Sequence, residues 1–230
     1  MTLAGQICYD NENDFLLKRC RTIGGERVSS SEMISDTQQD LLKELANIGV
    51  GNAVTALSTM LNDEKIEMAV PVVRVTPLQE VPEAFGNPES TVAATFCEAD
   101  CPALGLVLVF VLPLAAAEKM ISKLLPERSE KMDEMEQSLL MELGNIITGS
   151  YLSALSFMTN LTFNASPPRL GIDMAGAVLG TVIAETKTVD DQIILLKTEL
   201  ALENEGIEGS VLILPDSGSL KTLFEHLGAM

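Results

Sequence analysis

Leu41–Ser58 reads LLKELANIGVGNAVTALS, and Leu139–Ser156, at a constant offset of 98 residues, reads LLMELGNIITGSYLSALS. Ten of these eighteen positions are identical, and the match needs no gap. Apolar residues recur through both stretches at the period of an amphipathic helix. The similarity resumes downstream, where GLVLVFVLP from Gly105 parallels GSVLILP from Gly209 with two residues fewer. Each of those runs leads into an apolar-periodic helix, Ala115–Leu125 and Ser219–Leu227. A repeat of about 100 residues is too long for a solenoid unit. It predicts a duplicated half-domain: residues 37–228 as one domain built from repeats 37–125 and 133–228, after an N-terminal extension over 1–36.

Working outward, the repeated helices span 37–61 and 133–159. An extended segment, Lys65–Thr76, follows the first, with Pro71 and Pro77 as punctuation. Strand pairs are expected at Thr91–Ala99 with Leu104–Leu112, and at Gln192–Glu203 with Glu208–Leu214. Turn residues join them in Gly86–Ser90 and Glu203–Gly209. Residues 171–186 (GIDMAGAVLGTVIAET) read as an extra helix in the second half, and Pro126–Asp133 as a charged connector. Residues 1–36 have no counterpart in the repeat and are expected to form a flexible tail or short tethered element, with Phe15–Leu17 able to dock.

The repeated helix presents a stripe. At about 100° per residue, with Glu44 at the origin, Asn47 falls near 300°, Gly51 near 340°, Thr55 near 20° and Ser58 near 320°. Leu42, Leu45, Ala46, Ala53, Ala56, Leu57 and Met60 take the opposite, packing side. The second helix repeats the stripe with Glu142, Asn145, Gly149, Ser153 and Ser156. Glycine inside a helix costs about 0.5–1 kcal/mol relative to alanine, so two retained glycines need a reason. Either they leave each Asn unshadowed for a docking partner, or they mark a close crossing of the two helices. A single exposed Glu–Asn pair is ordinary. Here, however, Lys43/Met141, Val50/Thr148, Asn52/Ser150 and Ala53/Tyr151 drift between the copies while Glu, Asn and Gly persist. Packing alone does not require an exposed Asn twice.

Composition narrows the function. Fifteen Lys and Arg stand against 33 Asp and Glu, a formal charge of −18. Nucleic-acid backbones and anionic membranes reward clustered cations, so neither is an expected partner. Aromatic residues make up 4% and Trp is absent, which disfavours stacking platforms and leaves an aliphatic core. The longest apolar run, Leu106–Ala117, is interrupted by Pro113 and reads as a buried strand entering a helix, short of the roughly 20 residues of a membrane span. With no signal-like N-terminus, a soluble cytoplasmic protein without membrane insertion is expected. Cys8, Cys20, Cys97 and Cys101 form no CxxC, and one histidine, His226, cannot complete a zinc site. No metal site is expected, and Cys97 and Cys101 are read as free thiols rather than a loop clip.

The pattern Glu44-Leu-Ala-Asn47 with Gly51-Asn52, repeated as Glu142-Leu-Gly-Asn145 with Gly149, and followed by Pro71 and Pro168, resembles the CheC family of chemotaxis phosphatases. This family is related to CheX and to the flagellar-switch proteins FliY and FliM. Pro167-Pro-Arg-Leu-Gly-Ile-Asp-Met174 resembles its second half, and the likeness covers about residues 37–228. Ser138 for Asp40 and Ser150 for Asn52 are departures that leave both Glu–Asn pairs whole. The resemblance implies an α/β (α+β) fold: duplicated half-domains about a pseudo-twofold axis, an antiparallel-rich sheet, and long motif helices exposed on one side.

It also implies an enzyme that dephosphorylates the aspartyl phosphate of the response regulator CheY. Asn47 and Asn145 would position the attacking water, and Glu44 and Glu142 would complete the sites by docking a regulator lysine. Gly51, Gly149, Ser58 and Ser156 would line the docking surface. No cofactor of its own is implied, since Mg²⁺ comes with the phosphorylated regulator. A second reading is an adaptor for the receptor deamidase CheD, with Ile172, Met174 and the segment up to Ala184 as the surface. A third is a flagellar-switch component, disfavoured because FliM-like proteins lack the ExxN pairs and no further domain is expected after Met230. The expected state is a monomer that is internally a pseudo-dimer.

Overall fold

The structure is a computed structural model that describes residues 34–60, 66–81, 87–125, 132–185, 191–202 and 205–228. The elements in chain order are α1 (Asp36–Met60), β1 (Ile66–Pro77), a 3-10 turn (Leu78–Glu80), β2 (Thr91–Asp100), β3 (Gly105–Pro113) and α2 (Leu114–Leu124). The second half supplies α3 (Glu134–Thr159), β4 (Asn164–Ala165), β5 (Arg169–Met174), α4 (Ala175–Glu185), β6 (Gln192–Leu202), β7 (Glu205–Pro215) and α5 (Ser219–Leu227). Residues 1–33 of the extension expected over 1–36, most of the Pro126–Asp133 connector, parts of the turns at Gly86 and Glu203, and Cys8 and Cys20 lie outside the described residues.

Both motif helices begin on the same device. The Ser35 amide donates to Gln38 Oε1 at 2.8 Å, and the Gln38 amide donates back to Ser35 Oγ at 3.2 Å. Asp133 and Glu136 make the same reciprocal pair at 3.0 and 2.9 Å. Ser35/Asp133 and Gln38/Glu136 stand 98 residues apart, so the repeat extends upstream of the identical stretch as two capping boxes. Counting identities misses them because their chemistry is kept while the residue types change.

The strands form one antiparallel sheet in the order β1-β6-β7-β3-β2, with β4 and β5 both paired along the far side of β2. β1 from the first half pairs with β6 of the second, and β5 from the second pairs with β2 of the first. The halves are therefore interlocked rather than juxtaposed. At the centre β3 and β7 pair with Phe110 opposite Val211. An axis normal to the sheet through that rung exchanges β3 with β7, β2 with β6 and β1 with β5.

This symmetry corrects the alignment of GLVLVFVLP with GSVLILP. Matching Pro113 to Pro215 equates Phe110 with Leu212, yet these lie in different cores on opposite faces of the sheet. The ladder equates Phe110 with Val211, one residue away, and a one-residue slip would turn every side chain to the wrong face. A second correction concerns residues 171–186: the chain is strand up to Met174 and helical only from Ala175.

β3 is buried on both faces, which explains its unbroken apolar run. Leu106, Leu108, Phe110 and Leu112 enter the core beneath α1 and α3, and Val107, Val109 and Val111 enter a second core with α4. Each such side chain contributes about 1.5–3 kcal/mol on burial. Val81, just past the 3-10 turn, and the α4 residues Ala175, Val178, Leu179 and Val182 close that second core. Cys97 and Cys101 are free, and burial pushes the Cys97 thiol above its ordinary pKa, with Thr148 opposing.

Because the axis is normal to the sheet, it leaves α1 and α3 on the same face and makes them run in opposite directions. They meet at Gly49, where an added Cβ would lie 2.6 Å from Tyr151 Cδ1. The counterparts of that pair are Ile147 and Ala53, so one repeat places bulk where the other omits it. The Tyr151 hydroxyl is buried without a hydrogen-bond partner among the described residues, and burial raises its pKa strongly. Gly49→Ala should therefore lower stability by about 1–3 kcal/mol through overpacking. Tyr151→Phe, which removes the orphan oxygen, should hold or raise stability by about 1 kcal/mol. Thermal unfolding followed by circular dichroism checks both, and a higher midpoint for Gly49→Ala would contradict the close contact.

Candidate functional site

The inward faces of the two motif helices decide what their outward faces can show. α1 buries Leu42, Leu45, Ala46, Gly49, Ala53 and Leu57. α3 buries Leu140, Leu143, Ile147, Tyr151 and Leu155, and rests on β2 where Gly144 meets the Thr95 side chain. Glu44 and Asn47 on α1, and Glu142 and Asn145 on α3, are exposed. None of the four side chains makes a hydrogen bond or ion pair among the described residues. Each amide therefore keeps its full donor and acceptor capacity for a partner.

Neither motif glycine marks the crossing of the two helices. A Cβ on Gly51 or on Gly149 would meet nothing within 4 Å. The close crossing is real but occurs two residues earlier, at Gly49. Its signal was present as complementary size changes, Gly49/Ile147 against Ala53/Tyr151, and not as an identity.

The next residues along the ridge are self-satisfied. Thr55 Oγ1 donates to the Gly51 carbonyl at 2.8 Å, and Ser153 Oγ donates to the Gly149 carbonyl at 2.8 Å. These back-bonds draw the hydroxyls onto their own helix, one turn beyond a glycine that has no side chain. Ser58 and Ser156 are half-buried at the edge of the stripe.

Ile172 and Met174 sit elsewhere. They lie on the edge strand β5, opposite Ala93 and Thr91, and so share the sheet face of α1 and α3. α4 covers the other face, so the span from Ile172 to Ala184 is split between two faces and is not one surface. Among the described residues no group of three or more His, Cys, Asp or Glu could hold a metal ion, and no helix is long and apolar enough to cross a membrane.

The profile of the CheC-like family matches residues 38–75 and 135–172, once in each repeat and over both Glu–Asn pairs. The CheY-P phosphatase CheC of Bacillus subtilis (strain 168) is 33% identical over 203 residues, covering 85% of this chain and 96% of that protein. The chain belongs to the CheC-like family. The flagellar motor switch phosphatase FliY of Bacillus subtilis (strain 168) is 25% identical over 207 residues, which are 90% of this chain and 53% of FliY. The chain thus spans about half the length of that relative. Among solved structures, Thermotoga maritima FliY superposes with a TM-score of 0.66 at 22% identity, over 85% of this chain and 98% of that one. The FliM middle domain from H. pylori gives a TM-score of 0.59 at 16% identity, over 84% and 99%. These likenesses establish the mixed α/β fold with its curled antiparallel sheet; the FliM comparison carries nothing further.

Because open space surrounds both motif glycines, Gly51→Ala and Gly149→Ala should each stabilise this CheC-like chain by about 0.5–1 kcal/mol through helix propensity. Chemical denaturation reads the change directly. A loss of stability in either variant would mean that the bare position serves packing.

Proposed function

We propose that this chain hydrolyses the aspartyl phosphate of a CheY-type response regulator, using Asn47 in one site and Asn145 in a second. The observation that carries this reading is the twofold presentation of an unpaired Glu–Asn pair, one helical turn apart, above a bare glycine. The 33% identity to a CheY-P phosphatase over 96% of its length supports it.

An acyl phosphate is already activated, and the regulator brings its own Mg²⁺ with the substrate. What remains is to place a water in line with the scissile bond, since positioning and electrostatics dominate phosphoryl transfer. The Asn amide accepts a hydrogen bond from that water and donates one to a phosphoryl oxygen. Being neutral, it approaches without repulsion. The water oxygen bonds to phosphorus, the bond to the aspartate carboxylate breaks, and the water's proton leaves with phosphate or solvent. Glu44 and Glu142, about 4.5 Å along the helix from their Asn, pair with a regulator lysine and hold it in register. A carboxylate aimed at phosphate would be repelled, which assigns Glu to docking. The internal two-fold supplies both sites in one chain, so a monomer suffices.

Asn47→Ala and Asn145→Ala should each slow phosphate release, by about 10²-fold at its own site if the amide acts like a preorganised transition-state donor. The double variant should fall to the regulator's own rate with its melting temperature intact. Asn47→Asp combined with Asn145→Asp, equal in shape but anionic, should be as inactive. Continued acceleration by the double alanine variant would overturn the assignment.

A second reading attaches to α4, whose outer positions Ala177, Gly180, Thr181 and Ala184 are exposed, with nothing within 4 Å of a Cβ on Gly180. So smooth a helix face lets another backbone approach, and we propose it as the docking surface for a CheD-type deamidase. Gly180→Gln should abolish capture of such a deamidase in a pull-down, and undiminished capture would refute this surface.

A further inference from the structure

We infer that the two sites are unequal, and that Phe157 makes the Asn145 site the tighter regulator-docking site. This rests on the proposed reading of the site. Successive i+4 positions form a ridge along a helix. On α3 the ridge through the motif runs Asn145, Gly149, Ser153, Phe157, and on α1 it runs Asn47, Gly51, Thr55, Thr59. Both Asn are exposed, both glycines are open at the Cβ position, and Thr55 and Ser153 make the same back-bond. The fourth members differ.

Thr59 Oγ1 folds back onto the Thr55 carbonyl at 2.9 Å, so the first ridge ends low and satisfied. Phe157 is 78% exposed. At the N-terminal end of α3, on the Glu–Asn–Gly stripe, Met135 is 67% exposed, where α1 has Thr37. The remaining exposed large apolar side chains among the described residues, Ile172 at 37% and Met174 at 48%, lie on β5 beside α3. The strand ladder equates them with Val75 and Pro77, both half-buried. The described apolar exposure is thus confined to the second repeat. The first repeat, with the same backbone, is the internal control that shows the fold does not require it.

The occupant is the phosphorylated regulator, and the ring calls for an apolar patch on it about 18 Å from the phosphate. Phe157 stands twelve residues from Asn145, about 18 Å along the helix and about 120° round it, so the two flank the exposed face. A small domain is about 30 Å across, so one seated over Gly149 and Ser153 spans both flanks, with the amide on one and the ring on the other. Fully burying a Phe side chain corresponds to roughly 10-fold to 100-fold in affinity.

The test isolates each site. With Asn47→Ala silencing the first, Phe157→Thr should raise the KM for phosphorylated regulator about tenfold or more while kcat changes less than twofold. With Asn145→Ala silencing the second, Thr59→Phe should lower KM at the first. Binding of a beryllofluoride-loaded regulator, which is not hydrolysed, to the double Asn variant reads docking alone; Phe157→Thr should weaken its Kd about tenfold. If the Asn variants fail to impair hydrolysis while Phe157→Thr weakens Kd, the catalytic reading falls and the docking inference stands. If KM and Kd are unmoved by Phe157→Thr, the inference is overturned. It is equally overturned if light scattering shows that Phe157 instead holds together two copies of this chain.

Discussion

Everything in this molecule turns on the rung between Phe110 and Val211. β3 and β7 pair there in the middle of the sheet, and both strands are buried on both sides. Only an axis normal to the sheet can exchange two neighbouring antiparallel strands. That axis preserves faces and reverses directions, so it obliges the motif helices to lie side by side on one surface, running opposite ways. The swapped pairings of β1 with β6 and β5 with β2 then tie each helix to strands of the other half. Neither site can be displaced without disturbing the common sheet. Two Glu–Asn pairs on one rigid platform are a consequence of the strand register.

The same constraint separates packing from display. α1 and α3 approach through Gly49 and Tyr151, and α3 settles on β2 through Gly144 and Thr95. With those faces committed, the stripe through Asn47 and Gly51, and its copy through Asn145 and Gly149, has no structural duty. A helix-interior glycine with open space around it lowers stability, so its recurrence in both copies calls for an explanation outside the fold. The chemistry assigned to the neighbouring amide needs no strain, no burial and no shifted pKa. It needs an unobstructed approach, which a missing Cβ and an inward-turned hydroxyl provide.

Much of this was legible in the chain. The 98-residue offset carried the duplication, helical periodicity carried α1 and α3, and the both-faces-apolar run over Leu106–Leu112 carried β3. What escaped was non-local or chemically disguised. The one-residue register error between β3 and β7 arose because prolines at strand ends were matched, whereas register is set by which side chains share a core. β5 was absorbed into a helix because Gly171, Ile172 and Met174 continue the small and apolar composition of α4. The strand exists only because β2 offers a free edge. Gly49 is hidden from a count of identities for a different reason: a close contact needs one small partner and one large one, so symmetry is kept in summed volume rather than in identity. The capping boxes hid behind conservative exchanges, Ser for Asp and Gln for Glu.

Duplication gives a protein two copies of a site, and stability constrains the copies through what they bury, as summed volume rather than residue by residue. On the exposed ridges nothing in the sheet or the helix pair holds them equal. The ridge on α1 closes on a threonine whose hydroxyl is internally bonded, and the ridge on α3 closes on an uncovered phenyl ring. A large exposed aromatic is unfavourable in water and unnecessary to a fold that manages without it 98 residues earlier. Its retention next to an intact Glu–Asn pair is therefore most economically read as a docking contact. A chain built this way can keep one site for rapid, weak encounters and the other for tighter ones, on a single scaffold and with the same amide, to which we assign catalysis, in each.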